Sequence, residues 1–182
     1  MKLRRLPRGV PLVLVMAALA YFAHPRGWTL AAGGALTLIG LLVRTWAAGH
    51  LRRNEELATS GPYAYVRDPL YLGRLLILVG LCLMAWLWSG PVVLAFGLGV
   101  FFFDYMPRKH KKEMARLQKF FGERYRKYAA EVRSLVPRVR RWPEAGRQPW
   151  SADLYLRENR EQWFILIVLA CAAGIVARGV IG

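Results

Sequence analysis

Apolar residues in this chain are gathered into five blocks separated by short polar or charged stretches. The blocks predict helices over about 10–23, 28–48, 70–88, 92–106 and 163–181. Their lengths approach the roughly 20 apolar residues that cross a bilayer core. The first is the shortest, so Gly9 and Pro11 belong to its opening turns. Between the fourth and fifth blocks the period changes. Met114, Leu117, Phe121, Tyr125, Tyr128, Val132 and Leu135 recur every three or four residues, which predicts one amphipathic helix over about 109–135, ended by Pro137. Its other face carries Lys111, Lys112, Lys119, Glu123, Arg126 and Lys127 and suits the membrane surface or the ends of the spans. The expected fold is an all-α integral membrane protein of about five transmembrane helices. A cytosolic amphipathic helix lies between the fourth and the fifth, and residues 1–182 form a single membrane domain.

The connections refine this outline. His24-Pro25-Arg26-Gly27 reads as a turn, and Ser89-Gly90-Pro91 as the uncharged link of a tight helical hairpin. Gly33, Gly34 and Gly40 permit close helix approach in the second block, and Gly97 and Gly99 do so in the fourth. Arg138 to Gln148 reads as a polar linker. Pro149 to Asp153 then begins a short interfacial helix anchored by Tyr155. Two arginines lie inside apolar blocks, and each has two readings. Arg44 and Arg74 either snorkel to the interface or face an internal polar cavity, where Arg74 would meet an anionic acceptor. Glu158, Asn159, Arg160 and Glu161, before the fifth block, either anchor at the interface or close a pocket.

Charge orients the chain. The formal net charge is +16, from 27 Lys and Arg against 11 Asp and Glu. Basic clusters lie at Lys2 to Arg8, Arg52-Arg53 and throughout Pro107 to Arg160. With the N-terminus inside, all three regions fall on the cytosolic side and the outer loops keep Arg26 alone. The expected location is a bacterial inner membrane, multi-pass, with the C-terminus outside. This basic surface is assigned to anionic lipid rather than nucleic acid, and no protein partner is required. Cys82 and Cys171 lie within apolar blocks and read as small hydrophobes rather than a disulfide or nucleophile. His24, His50 and His110 lack ligand spacing, so no metal is expected.

One polar stretch stands out against the blocks: Gly61-Pro62-Tyr63-Ala64-Tyr65-Val66-Arg67-Asp68-Pro69-Leu70-Tyr71-Leu72-Gly73. On local grounds it is a helix entry, with Asp68 as N-cap and Pro69 at the first helical position. It also resembles the G-x-Y-x-x-x-R-H-P-x-Y-x-G signature of the isoprenylcysteine carboxyl methyltransferase and phospholipid methyltransferase families. Downstream, Glu113-Met114-Ala115-Arg116-Leu117, then Phe121-Gly122-Glu123-Arg124-Tyr125-Arg126-Lys127-Tyr128, Val132 and Pro137, resembles their E-E-x-x-L…F-G-x-x-Y-x-x-Y…V…P block. Two positions depart. Asp68 stands where the families have histidine, and Met114 replaces the second glutamate.

This resemblance implies an integral membrane enzyme that uses S-adenosylmethionine to methylate a lipophilic or membrane-associated acceptor: a carboxylate, thiol, amine or lipid headgroup. It places Tyr65, Arg67, Asp68, Tyr71, Glu113 and Tyr125 or Tyr128 around the cofactor. Arg67 would pair with the methionyl carboxylate, and Arg67 and Arg74 are the candidate catalytic residues. Glu113 would take the ammonium or a hydroxyl, although by itself it is an ordinary surface partner for Arg116. Two alternatives stand beside this reading: a non-catalytic lipid-binding or interaction protein on the same scaffold, and an NADPH-dependent membrane reductase with a related arginine-histidine-proline signature.

Overall fold

The computed structural model describes residues 10–52, 55–86 and 90–181, and among these the fold is entirely helical. Helix α1 spans Val10–Tyr21, α2 Gly27–Ala48, α3 Pro69–Ala85, α4 Gly90–Gly99, α5 Met106–Glu131 and α6 Glu161–Ile181. By length and composition α2 and Glu161–Val180 of α6 are large enough to cross a membrane. The 17 apolar residues of α3 fall just short, and α1 and α4 have 12 and 10. The basic arm before Gly9, and Ser89 of the expected hairpin link, lie outside the described residues.

The bundle is built on the α2–α3 seam. Gly33 faces Gly80, and Gly40 faces Gly73, each so closely that a Cβ on either partner would meet the other's carbonyl oxygen at 2.5–2.8 Å. The pairing runs in opposite directions along the two helices, with the glycines of each seven positions apart, so the two backbones lie antiparallel in contact. Thr37 sits between the paired glycines and returns its hydroxyl proton to Gly33 O at 2.9 Å. Helix α6 packs against α1, with Cys171 beside Met16 and Gly174 beside Ala20, so these two run parallel. The same helix runs antiparallel to α2, meeting it at Arg44 through Glu161 and at Leu30 beside Gly179. Leu41, Ile77, Leu81, Met84, Val168, Cys171 and Ile175 fill the space between these helices.

Where the sequence predicts a break at Pro107, the helix continues. Residues 90–131 form one helical run whose middle, Val100–Tyr105, is a π-helix. Proline has no N–H, and its ring crowds the carbonyl four residues back. A wider turn just before it relieves that clash, with Met106 N–H reaching Phe101 O. The amphipathic stretch is likewise not one straight helix. Gly122 has φ 48° and ψ −123°, a conformation open essentially to glycine alone. That kink turns Tyr125, Tyr128 and Val132 onto a second core with Leu57 and Trp142.

The expected polar linker, Arg138 to Gln148, is instead structural. Trp142 is 1% exposed and its ring lies 5.1 Å from that of Tyr128. Arginines dominate the composition of this segment, yet its backbone is tied down along its length, as the site geometry shows. Beyond it, Trp150 lies over Gly49 and donates its indole N–H to Thr45 O at 3.0 Å. Tyr155 packs 6.0 Å from it, and the short helix expected there is π-helical over Leu154–Glu158.

Candidate functional site

The motif segment is shaped first by its own chemistry. Gly61 takes φ +55° and leaves room for the His50 ring, whose Nδ1 lies 3.1 Å from Ser60 Oγ. Pro62 starts a single 3-10 turn, Gly61–Ala64. Asp68 then occupies the position before α3 with φ −121° and ψ 61°, and Pro69 is the first helical residue, as the local reading requires. The capping role fails in one respect, because the Asp68 carboxylate makes no cap hydrogen bond. It accepts the Ser134 hydroxyl proton at 2.5 Å instead. Only the Asp68 carbonyl serves the helix, receiving the N–H groups of Tyr71 and Leu72.

What holds the motif is the chain that follows α5. Arg67 N–H reaches Arg133 O at 2.9 Å and Asp68 N–H reaches Ser134 O at 3.0 Å. From the other direction, Arg138 N–H donates to Tyr65 O at 2.8 Å and Trp142 N–H to Ala64 O at 2.9 Å. Side chains close the same joint. Tyr128 Oη donates to Tyr63 O at 2.7 Å, and Arg67 Nη1 donates to Ala129 O at 3.1 Å, with Arg67 Nε 3.6 Å from Asp68 Oδ2. Burial, with the Asp68 carboxylate nearby, pushes the Tyr128 phenol well above its ordinary range, so it stays a donor.

The two sequence blocks are therefore in contact, at the end of the bundle where α2 stops and α3 starts. Tyr65, Arg67, Asp68 and Tyr128 come together there through these bonds, with Tyr125 beside Tyr128 in the second core and Tyr71 half-buried on the first turn of α3. Tyr65 also faces Trp46, 6.4 Å away across α2. Glu113 lies in the first half of α5, and its side chain is outside the described residues. Met114, at the position of the families' second glutamate, packs against the Tyr125–Trp142 core.

The two arginines within the apolar blocks differ in burial: Arg44 is buried and Arg74 half-buried. Arg44 is 3% exposed rather than snorkelling. Its Nε and Nη2 bind Glu161 at 2.6–3.1 Å, and its Nη1 donates to Leu70 O at 2.8 Å. Arg74 shares the Phe164 ring with it, their guanidinium carbons lying 5.6 and 4.1 Å from the ring centre. Glu161 is buried too, and so is Asn159, whose amide lies within 3.1 Å of the carbonyls of Ala48, Leu51 and Leu154. Interface anchoring is the wrong description for both. Nothing in local sequence marks the Arg44–Glu161 pair, because its members are 117 residues apart. Ser134 and Trp142 likewise escaped sequence reasoning, although an isolated tryptophan amid arginines is a legible signal for burial.

A separate cavity of about 360 Å³ opens between the end of α2 and the 148–154 segment, lined by His50, Arg52, Glu56, Gln148 and Trp150 among others. Burial lowers the pKa of His50 from its ordinary value. Among the described residues, no three His, Cys, Asp or Glu side chains gather as a metal site would require.

The sequence profile described as "Phospholipid methyltransferase" matches residues 28–124, from the start of α2 through the first motif to the Gly122 kink. The chain belongs to the phospholipid methyltransferase family. Over 124 residues it is also 30% identical to the cobalt-zinc-cadmium resistance protein CzcN of Cupriavidus metallidurans. The match covers 67% of this chain and 53% of that protein, so the chain spans about half the length of the relative. No solved structure matches. Members of that family are in general membrane methyltransferases, and they generally take their methyl group from S-adenosylmethionine. Arg133 to Trp142, which close the phospholipid methyltransferase motif in this chain, lie beyond the matched range, as do Glu161 and Phe164.

Proposed function

We propose that the chain transfers a methyl group from S-adenosylmethionine to a lipophilic or membrane-associated small acceptor: a carboxylate, thiol, amine or lipid headgroup. The reaction takes place at the cytosolic side of a bacterial inner membrane. The observation that carries this reading is the joining of the two motif blocks at one end of the bundle, through backbone pairs from Arg67 and Asp68 to Arg133 and Ser134. In this reading the chain crosses the membrane five times, with the N-terminus cytosolic and the C-terminus outside. Support comes from the alternating directions of α1, α2 and α3, from α6 running parallel to α1, and from the position of the basic 132–160 segment at the motif end.

The donor set suits the cofactor. One guanidinium, one carboxylate and the phenols of Tyr65, Tyr71, Tyr125 and Tyr128 lie within two short segments, matching a ligand with a carboxylate, an ammonium and an aromatic base. Bound there, S-adenosylmethionine supplies a methyl group on a positively charged sulfur. Arg67 would hold its carboxylate and Asp68 or Glu113 its ammonium or a hydroxyl, while aromatic faces receive the base and the sulfonium. No strong acid is needed, because transfer of the methyl consumes a charge. The residues act by orienting and by excluding water.

A second reading is favoured by a specific observation. The Asp68 carboxylate, the Tyr128 phenol and one arm of Arg67 are already used to hold the protein together. A non-catalytic lipid-binding protein on the same scaffold would use them in this way. Calorimetric titration of the purified protein in nanodiscs with S-adenosylmethionine, its demethylated product and NADPH separates the readings. Binding of the first two, weakened at least about tenfold in Arg67→Ala, is the expected result. Loss of all binding to these two sinks the methyltransferase, and binding of NADPH alone points to a reductase.

A further inference from the structure

We infer that Glu161, on the last helix, is a positioning residue for the methyl-transfer site and acts through Arg44 on the first turn of α3. This rests on the function proposed above. An acidic residue at a helix N-terminus is ordinarily useful in an exposed position, facing the helix dipole. Glu161 is instead 5% exposed, and its two oxygens receive Arg44 Nε and Nη2. The guanidinium has one arm left, and Nη1 spends it on Leu70 O at 2.8 Å. Leu70 lies between Pro69 and Tyr71, inside the motif.

The motif itself makes room for this arrangement. A Cβ on Gly73 would lie 2.5 Å from Arg44 Cγ, so the glycine that ends the motif is what lets the arginine stem pass between α2 and α3. Phe164, one turn into α6, then packs flat on the guanidinium at 4.1 Å and also meets Arg74. Arg74 thus meets the same ring as the Arg44–Glu161 pair. The Leu70 carbonyl and Arg74, both on α3, are therefore tied to an ion pair whose anion comes from a helix beyond the family match.

Stability alone does not account for such a pair. Burying two charges costs about as much as their attraction returns, and well-packed apolar replacements are often neutral or stabilising. The geometry gives the pair a different use: a planar fork with three fixed contacts sets where the α3 turn sits relative to α6, which an apolar contact cannot do.

The test compares wild type, Arg44→Lys and the double variant Arg44→Met/Glu161→Met in nanodiscs. Three quantities are read: the melting temperature, hydrogen-exchange protection of the Tyr71 and Leu72 amides, and calorimetric affinity for S-adenosylhomocysteine. Lysine keeps the charge opposite Glu161 but cannot reach both the carboxylate and Leu70 O. The double variant should melt at or above wild type, yet lose about tenfold in local protection and bind the ligand about ten- to a hundredfold more weakly. Arg44→Lys should show the same two local losses. Wild-type protection and affinity in either variant would overturn the inference, as would affinity that merely follows the melting temperature. Absence of ligand binding by wild type would instead remove the function, while the exchange measurement still decides whether the pair sets the turn.

Discussion

Substituting one glycine of the α2–α3 seam tests whether the motif turn is located by helix contact. In Gly40→Ala the new Cβ would lie 2.7 Å from Gly73 O and 2.8 Å from Ile77 Cγ1, where ordinary contact begins at 3.4 Å. The shortfall of about 0.7 Å is against backbone, which cannot rotate away. Either the helices separate or α3 slides, and Gly73 lies only one turn past Pro69 of the motif. Alanine favours the helix by about 1 kcal/mol, and overpacking costs about 1–3 kcal/mol. The net expectation is a loss of about 0–2 kcal/mol. Gly34, on the same helix, supplies the control: a Cβ there has nothing within 4 Å, so Gly34→Ala keeps the helix gain and should be neutral or slightly stabilising. Reversible unfolding in mixed micelles, followed by the fluorescence of the 7 tryptophans, measures both. If Gly40→Ala proves as stable as Gly34→Ala, the seam is not in contact as described.

Three further outcomes follow from the second core and its rim. Trp142→Ala should cost about 3–5 kcal/mol, because the ring is buried against Tyr128, and near-ultraviolet dichroism should lose signal in step with a lower unfolding midpoint. Tyr128→Phe leaves the Tyr63 carbonyl without its donor and should cost about 1–3 kcal/mol; an unchanged midpoint in denaturant would show that the bond contributes nothing. His50 has a folded pKa lowered by burial, so protonation favours the unfolded chain. Stability should be level above the ordinary value of 6.5 and decline as pH falls below it. Melting curves between pH 8 and 5, about the range where histidine titrates, should therefore slope in wild type and flatten in His50→Gln.

The features legible in sequence were those with a short repeat or a contiguous motif. A stripe from Met114 to Val132 announced an apolar face, and Pro69 fixed the start of α3 within a residue. Gly122 was visible only as a family position, since a single glycine in a helical pattern does not say whether it bends the chain. The Arg138–Gln148 segment misled because arginine density reads as solvent, whereas the segment is held by its backbone and one ring. Arg44 illustrates the other kind of loss. An arginine in an apolar helix has two physically reasonable destinations, and the choice depended on a glutamate 117 residues away.

The joint between the first motif and residues 133–142 also sets the order in which the protein can be made. When α1 to α4 have left the ribosome, Ala64, Tyr65, Arg67 and Asp68 still lack the partners their backbone requires, because those partners are encoded some 70 residues later. Arg44 waits longer still, with no carboxylate opposite it until Glu161 is synthesised. A nascent chain stalled before α6 would therefore hold an unmatched charge within its apolar helices. Such a chain should be more open to quality-control proteases than one in which α6 has docked and Glu161 has met Arg44.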